Sequence, residues 1–250
     1  MKVFLSVIIP CYNEKKNLER GVLQEVYDYL KQKDFSWEVI ISDDESTDGS
    51  WDLVEKFIKN KKNFHHLKNK HGGKPAAVRS GIEYASGDWV LLTDMDQATP
   101  IDQLEKLLPH FEKADVVIGS RGMMRKNFPL YRKIGSVIFV NIRRLMLLPN
   151  IIDTQCGFKA FKREIIVKLF PQLQFFRMNK VIHGWRVSAY DVELLFLTQK
   201  NGCKIAEVPV TWEDKDISEG KQRSYLKESK EMFFEVLRVR LNDLKKEYDK

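Results

Sequence analysis

Cysteine is scarce. It occurs three times, at Cys11, Cys156 and Cys203, with no CxxC pair. Neither a disulfide framework nor a zinc site is therefore expected, and the thiols read as reduced. No apolar run reaches the ~18–20 residues that a membrane span needs. The most hydrophobic stretch, from Ile134 to Leu148, is interrupted by Asn141, Arg143 and Arg144. The opening MKVFLSVIIP is too short for a signal-peptide core with its cleavage site. With 8 Pro and 13 Gly in 250 residues, the disordered, collagenous and low-complexity classes fall away. Neither GxxxxGK[ST] nor GxGxxG occurs, and no nucleic-acid-binding motif is found.

What is present is a globular composition, 43% hydrophobic and 31% charged, with a net charge of +7. That excess suits a phosphorylated substrate or an anionic membrane surface, and the missing motifs argue against nucleic acid. Apolar β-branched runs at Val3–Ile9, Trp37–Ser42, His65–Lys68, Trp89–Thr93 and Asp115–Gly119 read as strands. Helical spacing covers Lys15–Lys33, Asp48–Lys61, Pro75–Ser86 and Ile101–Lys113. This alternation predicts an α/β fold: a mostly parallel, Rossmann-like sheet flanked by helices, with ligands bound beyond the carboxyl ends of its strands. The second half is more mixed. It holds a short segment from Thr154 to Lys162, a helix from Asp191, a strand near Ile205–Thr211 and a long helix from Tyr225 to the end.

Candidate chemistry collects at the predicted strand ends. Asp94-Met95-Asp96 follows the Trp89 strand, and two carboxylates so spaced suit a hard divalent cation that completes its shell with substrate phosphate and water. A solvated loop accommodates the same triplet. Asp43-Asp44 precedes a helix cap at Ser46–Asp48, and a carboxylate there could accept the ring N–H of a nucleobase. In Pro10-Cys11-Tyr12-Asn13-Glu14, Tyr12 could lie along a base and Glu14 could reach a ribose. His71-Gly72-Gly73-Lys74-Pro75 opens a helix and could meet a phosphate through Lys74 and backbone N–H groups.

In this order the pieces SVIIPCYNE, ISDDESTDGS, GGKPAAVRSGIEYASGDWVLLTDMDQATP and VIGSR resemble family 2 glycosyltransferases of the GT-A fold. DTQCGFK at Asp153–Lys159 and DVEL from Asp191 are similar to the dolichyl-phosphate glucosyltransferase branch and its bacterial polyprenyl-phosphate relatives. The resemblance runs from about Ser6 to Asp214. It implies a GT-A domain over 1–214, with a nucleotide-sugar half to about 121 and an acceptor half over 122–214, and a C-terminal amphipathic helix over 215–250. It also implies donor binding by Pro10, Tyr12, Glu14, Asp44, Lys74, Asp94 and Gln155. Asp94 and Asp96 would hold Mg²⁺ or Mn²⁺, and Arg121 and Arg132 an acceptor phosphate. Asp191 would lie near the transferred sugar or the acceptor. Met95 departs from the small residue usual between the aspartates, which would reshape the sugar pocket, and Pro75 replaces a frequent glycine.

The implied reaction is inverting, metal-dependent transfer of a hexose, glucose from UDP-glucose, to a polyprenyl or dolichyl phosphate. A phosphate monoester is dianionic near neutral pH and needs orientation by guanidinium groups, not a general base. A saccharide hydroxyl acceptor would need a base, for which Asp191 is the candidate. A non-catalytic nucleotide-sugar-binding subunit is a further alternative. A nucleotidyltransferase lacks its glycine-rich loop here. The apolar and basic stretch 130–144 suits an interfacial helix, or a core helix with surface arginines. The last helix carries Phe233, Val236, Leu237, Leu241 and Leu244 on one stripe, which reads as core packing first. The expected location is the cytoplasmic face of a membrane, peripherally bound.

Overall fold

The computed structural model describes residues 2–122, 130–177, 190–215, 217 and 225–249; over 130–134, at 136 and 138, and over 225–229 it describes backbone only. One sheet is built from β1 (Leu5–Cys11), β2 (Trp37–Asp43), β3 (Phe64–Lys68), β4 (Trp89–Leu92), β5 (Val116–Ser120), β6 (Lys159–Lys162) and β7 (Ile205–Pro209). Its order is β3-β2-β1-β4-β6-β5-β7. All described pairings are parallel except those of β6, which runs antiparallel between β4 and β5. Both predicted halves thus contribute to one sheet.

The strands are apolar on both faces because helices cover both. Ile8, Ile40, Val90, Leu92, Val116 and Ile118 pack with Val78, Ile82, Ile166, Leu194 and Val236 on one side. Their alternating neighbours Val7, Ile9, Val39, Ile41, Leu91 and Val117 pack with Val22, Val26, Leu30, Val54 and Leu104 on the other. Each such side chain contributes about 1.5–3 kcal/mol by burial.

The helices are α1 (Lys15–Glu19), α2 (Val22–Leu30), α3 (Ser50–Ile58), α4 (Lys74–Tyr84), α5 (Leu104–Leu107), α6 (Leu130–Met146), α7 (Arg163–Leu169), α8 (Gln174–Arg177), α9 (Tyr190–Lys200) and α10 (Tyr225–Leu244). Two expected helices are shorter than their periodicity suggests. The Lys15–Lys33 helix is broken at Gly21, whose φ of 93° lies in the left-handed region open to glycine. The break points Arg20 at the loop after β4, where it donates to the Asp96 carbonyl (2.5 Å). The Ile101–Lys113 helix is reduced to α5 between two 3₁₀ turns, the second containing Pro109. The final helix stops at Leu244, and Lys246 beyond it has positive φ.

Candidate active site

The loops after β1, β2 and β4 converge at one edge, and each contains a non-glycine residue with positive φ: Asn13 (54°), Glu45 (66°) and Gln97 (47°). Such a conformation costs a non-glycine residue about 1 kcal/mol or more, and its repetition at three adjacent strand ends marks a functional edge. Parallel pairing sets Pro10 opposite Ser42 and Cys11 opposite Asp43, so the two following loops run together. They are joined by the Asn13 N–H to Ser46 Oγ (3.0 Å), the Glu14 N–H to Ser50 Oγ (2.9 Å) and the Lys15 N–H to Asp48 (2.9 Å). Glu14 is buried and accepts from Asn17 Nδ2 (2.6 Å).

Asp44 is buried and closes this edge against the glycine turn. It accepts from the N–H groups of Gly72 (2.8 Å) and Gly73 (2.9 Å) and pairs with His71 Nδ1 (2.9 Å). Burial pushes its carboxyl above the ordinary value, against those donors. The His71 ring stacks on Tyr12, centroids 4.8 Å apart. Lys74, at the start of α4, pairs with Asp94 (2.5 Å). Lys74 is exposed at its side chain, and desolvation by the surrounding loops opposes its charge, but Asp94, with Tyr190 and Asp191, holds the ammonium above its ordinary value. Asp94 and Asp96 are partly exposed while Met95 between them is buried in the core beneath the turn. Among the described residues no group of three or more His, Cys, Asp or Glu side chains gathers to hold a metal. A cation at the aspartate pair would take its other ligands from phosphate and water, as hard divalent ions do.

The antiparallel β6 delivers the DTQCGFK segment to this edge. Leu92 lies opposite Lys159, so the chain leading into β6 runs beside the chain leaving β4. Lys159 is fully buried; its ammonium bonds the Cys156 carbonyl and pairs with Asp191 (2.5 Å) in the first turn of α9. Gln155 donates its backbone N–H to Asp153 (3.0 Å), and its buried Nε2 has no partner among the described residues.

Arg121, just beyond β5, makes a bidentate pair with Asp153: Nε at 2.7 Å and Nη2 at 2.8 Å, with its backbone N–H on the same carboxylate at 3.0 Å. Burial works against both charges, yet the pair holds the Asp153 carboxyl well below the carboxylate range and the guanidinium above its own. The guanidinium carbon of Arg121 lies over the Trp212 ring, 5.7 Å from its centroid. Asp191 lies within electrostatic reach of both Arg121 and Lys74 and favours the charge on each. Arg132 falls in α6, and its side chain lies outside the described residues.

The family model described as Glycosyl transferase family 2 matches residues 6–170. The chain belongs to that family. This family 2 glycosyltransferase is 35% identical, over 90% of its chain and 70% of the relative, to a dolichyl-phosphate beta-glucosyltransferase of Trichomonas vaginalis. It is 34% identical to one of Dictyostelium discoideum, over 97% of its chain and 75% of the relative. Its fold is similar to that of glucosyl-3-phosphoglycerate synthase from Mycobacterium tuberculosis in complex with Mn²⁺, UDP and glucosyl-3-phosphoglycerate (TM-score 0.58, 17% identity, 96% of this chain and 79% of the other). The architecture is GT-A.

Three residues of the transferase that matter to the site have no signal in local sequence. Nothing in the local pattern marks Lys159 for burial; the insertion of β6 buries it and pairs it with Asp191. Glu207, on edge strand β7, accepts the N–H groups of Ile152 and Asp153 (both 2.7 Å) and so sets the loop that grips Arg121. Both sequence readings put Arg143 on the outside, among lipid headgroups or as a surface arginine on a core helix. Instead it is buried, bonded to Thr154 Oγ1 (2.9 Å) and to the carbonyls of Ile151 (3.0 Å) and Ile152 (2.6 Å). Burial pushes its guanidinium down to about 10, which leaves it charged at neutral pH.

Proposed function

We propose that this glycosyltransferase moves glucose from UDP-glucose to a polyprenyl or dolichyl phosphate, with inversion, using Mg²⁺ or Mn²⁺ held by Asp94 and Asp96. The observation that carries the reading is the pairing of an open aspartate turn with a preset arginine across the DTQCGFK segment. The names of its relatives support the acceptor, and a Mn²⁺ and UDP complex in the same fold supports the donor side. A bound divalent cation would stabilise the departing nucleoside diphosphate. Tyr12, Glu14 and Asp44 would bind the nucleoside, and Lys74 would exchange Asp94 for a phosphate oxygen. Gln155 would offer its unpartnered amide to the sugar or acceptor. Arg121 and Arg132 would orient the acceptor phosphate for in-line attack. Asp191 is committed to the buried Lys159 ammonium, which favours a phosphate over a hydroxyl acceptor that needs a free base.

The lipid would be met at the cytoplasmic membrane surface. No described helix is long and apolar enough to cross a membrane. The last-helix stripe divides: Val236 is buried, whereas Phe233, Phe234, Leu241 and Leu244 are exposed beside Arg240, Lys245 and Lys246. That apolar and basic surface supports interfacial docking. Salt-sensitive release from anionic vesicles checks it, and no vesicle binding at low salt contradicts it. The reaction itself is tested with a panel of labelled nucleotide sugars and dolichyl phosphate. UDP-glucose should place label in organic-soluble product, and EDTA should stop it. Label confined to water-soluble glycan would contradict the assignment.

A further inference from the structure

Within the DTQCGFK segment, Gly157 is defined by the side chain it lacks. Its φ is not among the positive values, so its own backbone conformation does not call for glycine. Space does. A Cβ built on Gly157 would lie 2.1 Å from Asp94 Oδ2, 2.8 Å from Asp94 Cγ and 3.2 Å from Oδ1. The strand register explains the approach. With Leu92 opposite Lys159 in antiparallel strands, two residues beyond β4 meet two residues before β6, and those are Asp94 and Gly157.

If a side chain were added, the carboxylate would yield and not the loop. The loop is held by Asp153 on Arg121, by Arg143 on the Ile151 and Ile152 carbonyls, and by the Gly119 N–H on the Phe158 carbonyl (2.8 Å). Cys156 and Phe158 on either side of Gly157 are buried. Asp94 is short and partly exposed, so rotation about one torsion carries it clear and parts it from Lys74.

We propose that Gly157 is a positioning residue for the donor site: the absence of a Cβ there keeps the Asp94 carboxylate in the rotamer that faces the cation and diphosphate. This rests on the reading of Asp94 and Asp96 as the metal site. Residue 157 then governs the metal-coupled part of donor binding and leaves the nucleoside contacts at Tyr12, Glu14 and Asp44 untouched.

The test is calorimetric titration of UDP into Gly157→Ala, with Mn²⁺ and with EDTA, alongside its Tm. A substitution that misplaces a metal ligand costs about 10–100-fold in metal affinity. Gly157→Ala should lose about tenfold or more in the presence of Mn²⁺, match the wild type in EDTA, and keep a Tm near the wild type. Asp94→Ala should lose as much. The double variant should lose no more than Asp94→Ala, because the new Cβ then has room. Should Gly157→Ala fold poorly, the double variant regains the Tm of Asp94→Ala, which reads the same contact without any ligand. A wild-type Mn²⁺ response in Gly157→Ala, or losses that add in the double variant, overturns the proposal. Wild-type UDP binding that ignores Mn²⁺ overturns the metal-site reading instead, and the Tm comparison still judges the contact.

Discussion

The proposed donor edge and the proposed acceptor side of this site are built on opposite principles. At the donor edge the aspartates sit on turns after parallel strands, partly exposed, with Asp94 paired to the exposed Lys74. On the acceptor side the charges are buried and paired among themselves: Arg121 with Asp153, Lys159 with Asp191, Arg143 with backbone carbonyls. The first arrangement presents partly exposed carboxylates to an incoming cation. The second fixes cations before any ligand arrives, and a preset guanidinium loses less freedom when it grips phosphate. Substitutions should therefore separate cleanly: chemistry suffers at the donor edge, and folding suffers with it on the acceptor side.

The largest effect is expected at the donor edge. Asp96→Asn should lower transfer about 10³-fold, several kcal/mol of transition-state stabilisation, while the Tm stays near the wild type. An unimpaired, metal-dependent variant would break the comparison. Next comes Asp153→Asn, which leaves the buried Arg121 guanidinium without its partner. It should cost about 3 kcal/mol of stability by urea denaturation, since breaking a buried pair is expensive. Its pH dependence has a defined sign. The Asp153 carboxyl is held below its unfolded value, so its contribution is present above the ordinary carboxylate pKa and fades as pH falls. The difference between wild type and variant should be largest at neutral pH and shrink below about pH 4. A pH-independent difference would mean that the pair is not what stabilises this loop. Asp191→Asn should have the smallest effect on turnover, less than about tenfold, whereas loss of a general base costs 10² or more. A large rate loss with normal UDP binding would move the acceptor from phosphate to hydroxyl.

The same contrast decides what the sequence reveals. Local pattern exposes the proposed donor edge, because each motif ends or directly follows an apolar strand: PCYNE at the end of β1, DDEST at the end of β2, DMD after β4. Alternation along those strands gives the two-faced sheet as well. The acceptor side depends on pairing between distant segments. The antiparallel register of β6 buries Lys159 and brings Gly157 against Asp94, and nothing in FKAFK states which strands it enters. Arg143 in an apolar, basic helix reads as an outward-facing arginine, at headgroups or at a core helix's surface, since its carbonyl partners at Ile151 and Ile152 form a turn visible only after folding. Periodicity likewise overran Gly21, where left-handed backbone ends one helix and starts another.

The central claim is that the preset arginine side receives a phosphate. It is tested most directly by offering the enzyme labelled UDP-glucose and Mn²⁺ with equal amounts of dolichyl phosphate and dolichol. The account predicts label on the phosphate alone, and a higher KM for dolichyl phosphate in Arg121→Lys, which cannot grip bidentately. Comparable transfer to the alcohol, with dolichyl phosphate KM unchanged in that variant, would contradict it.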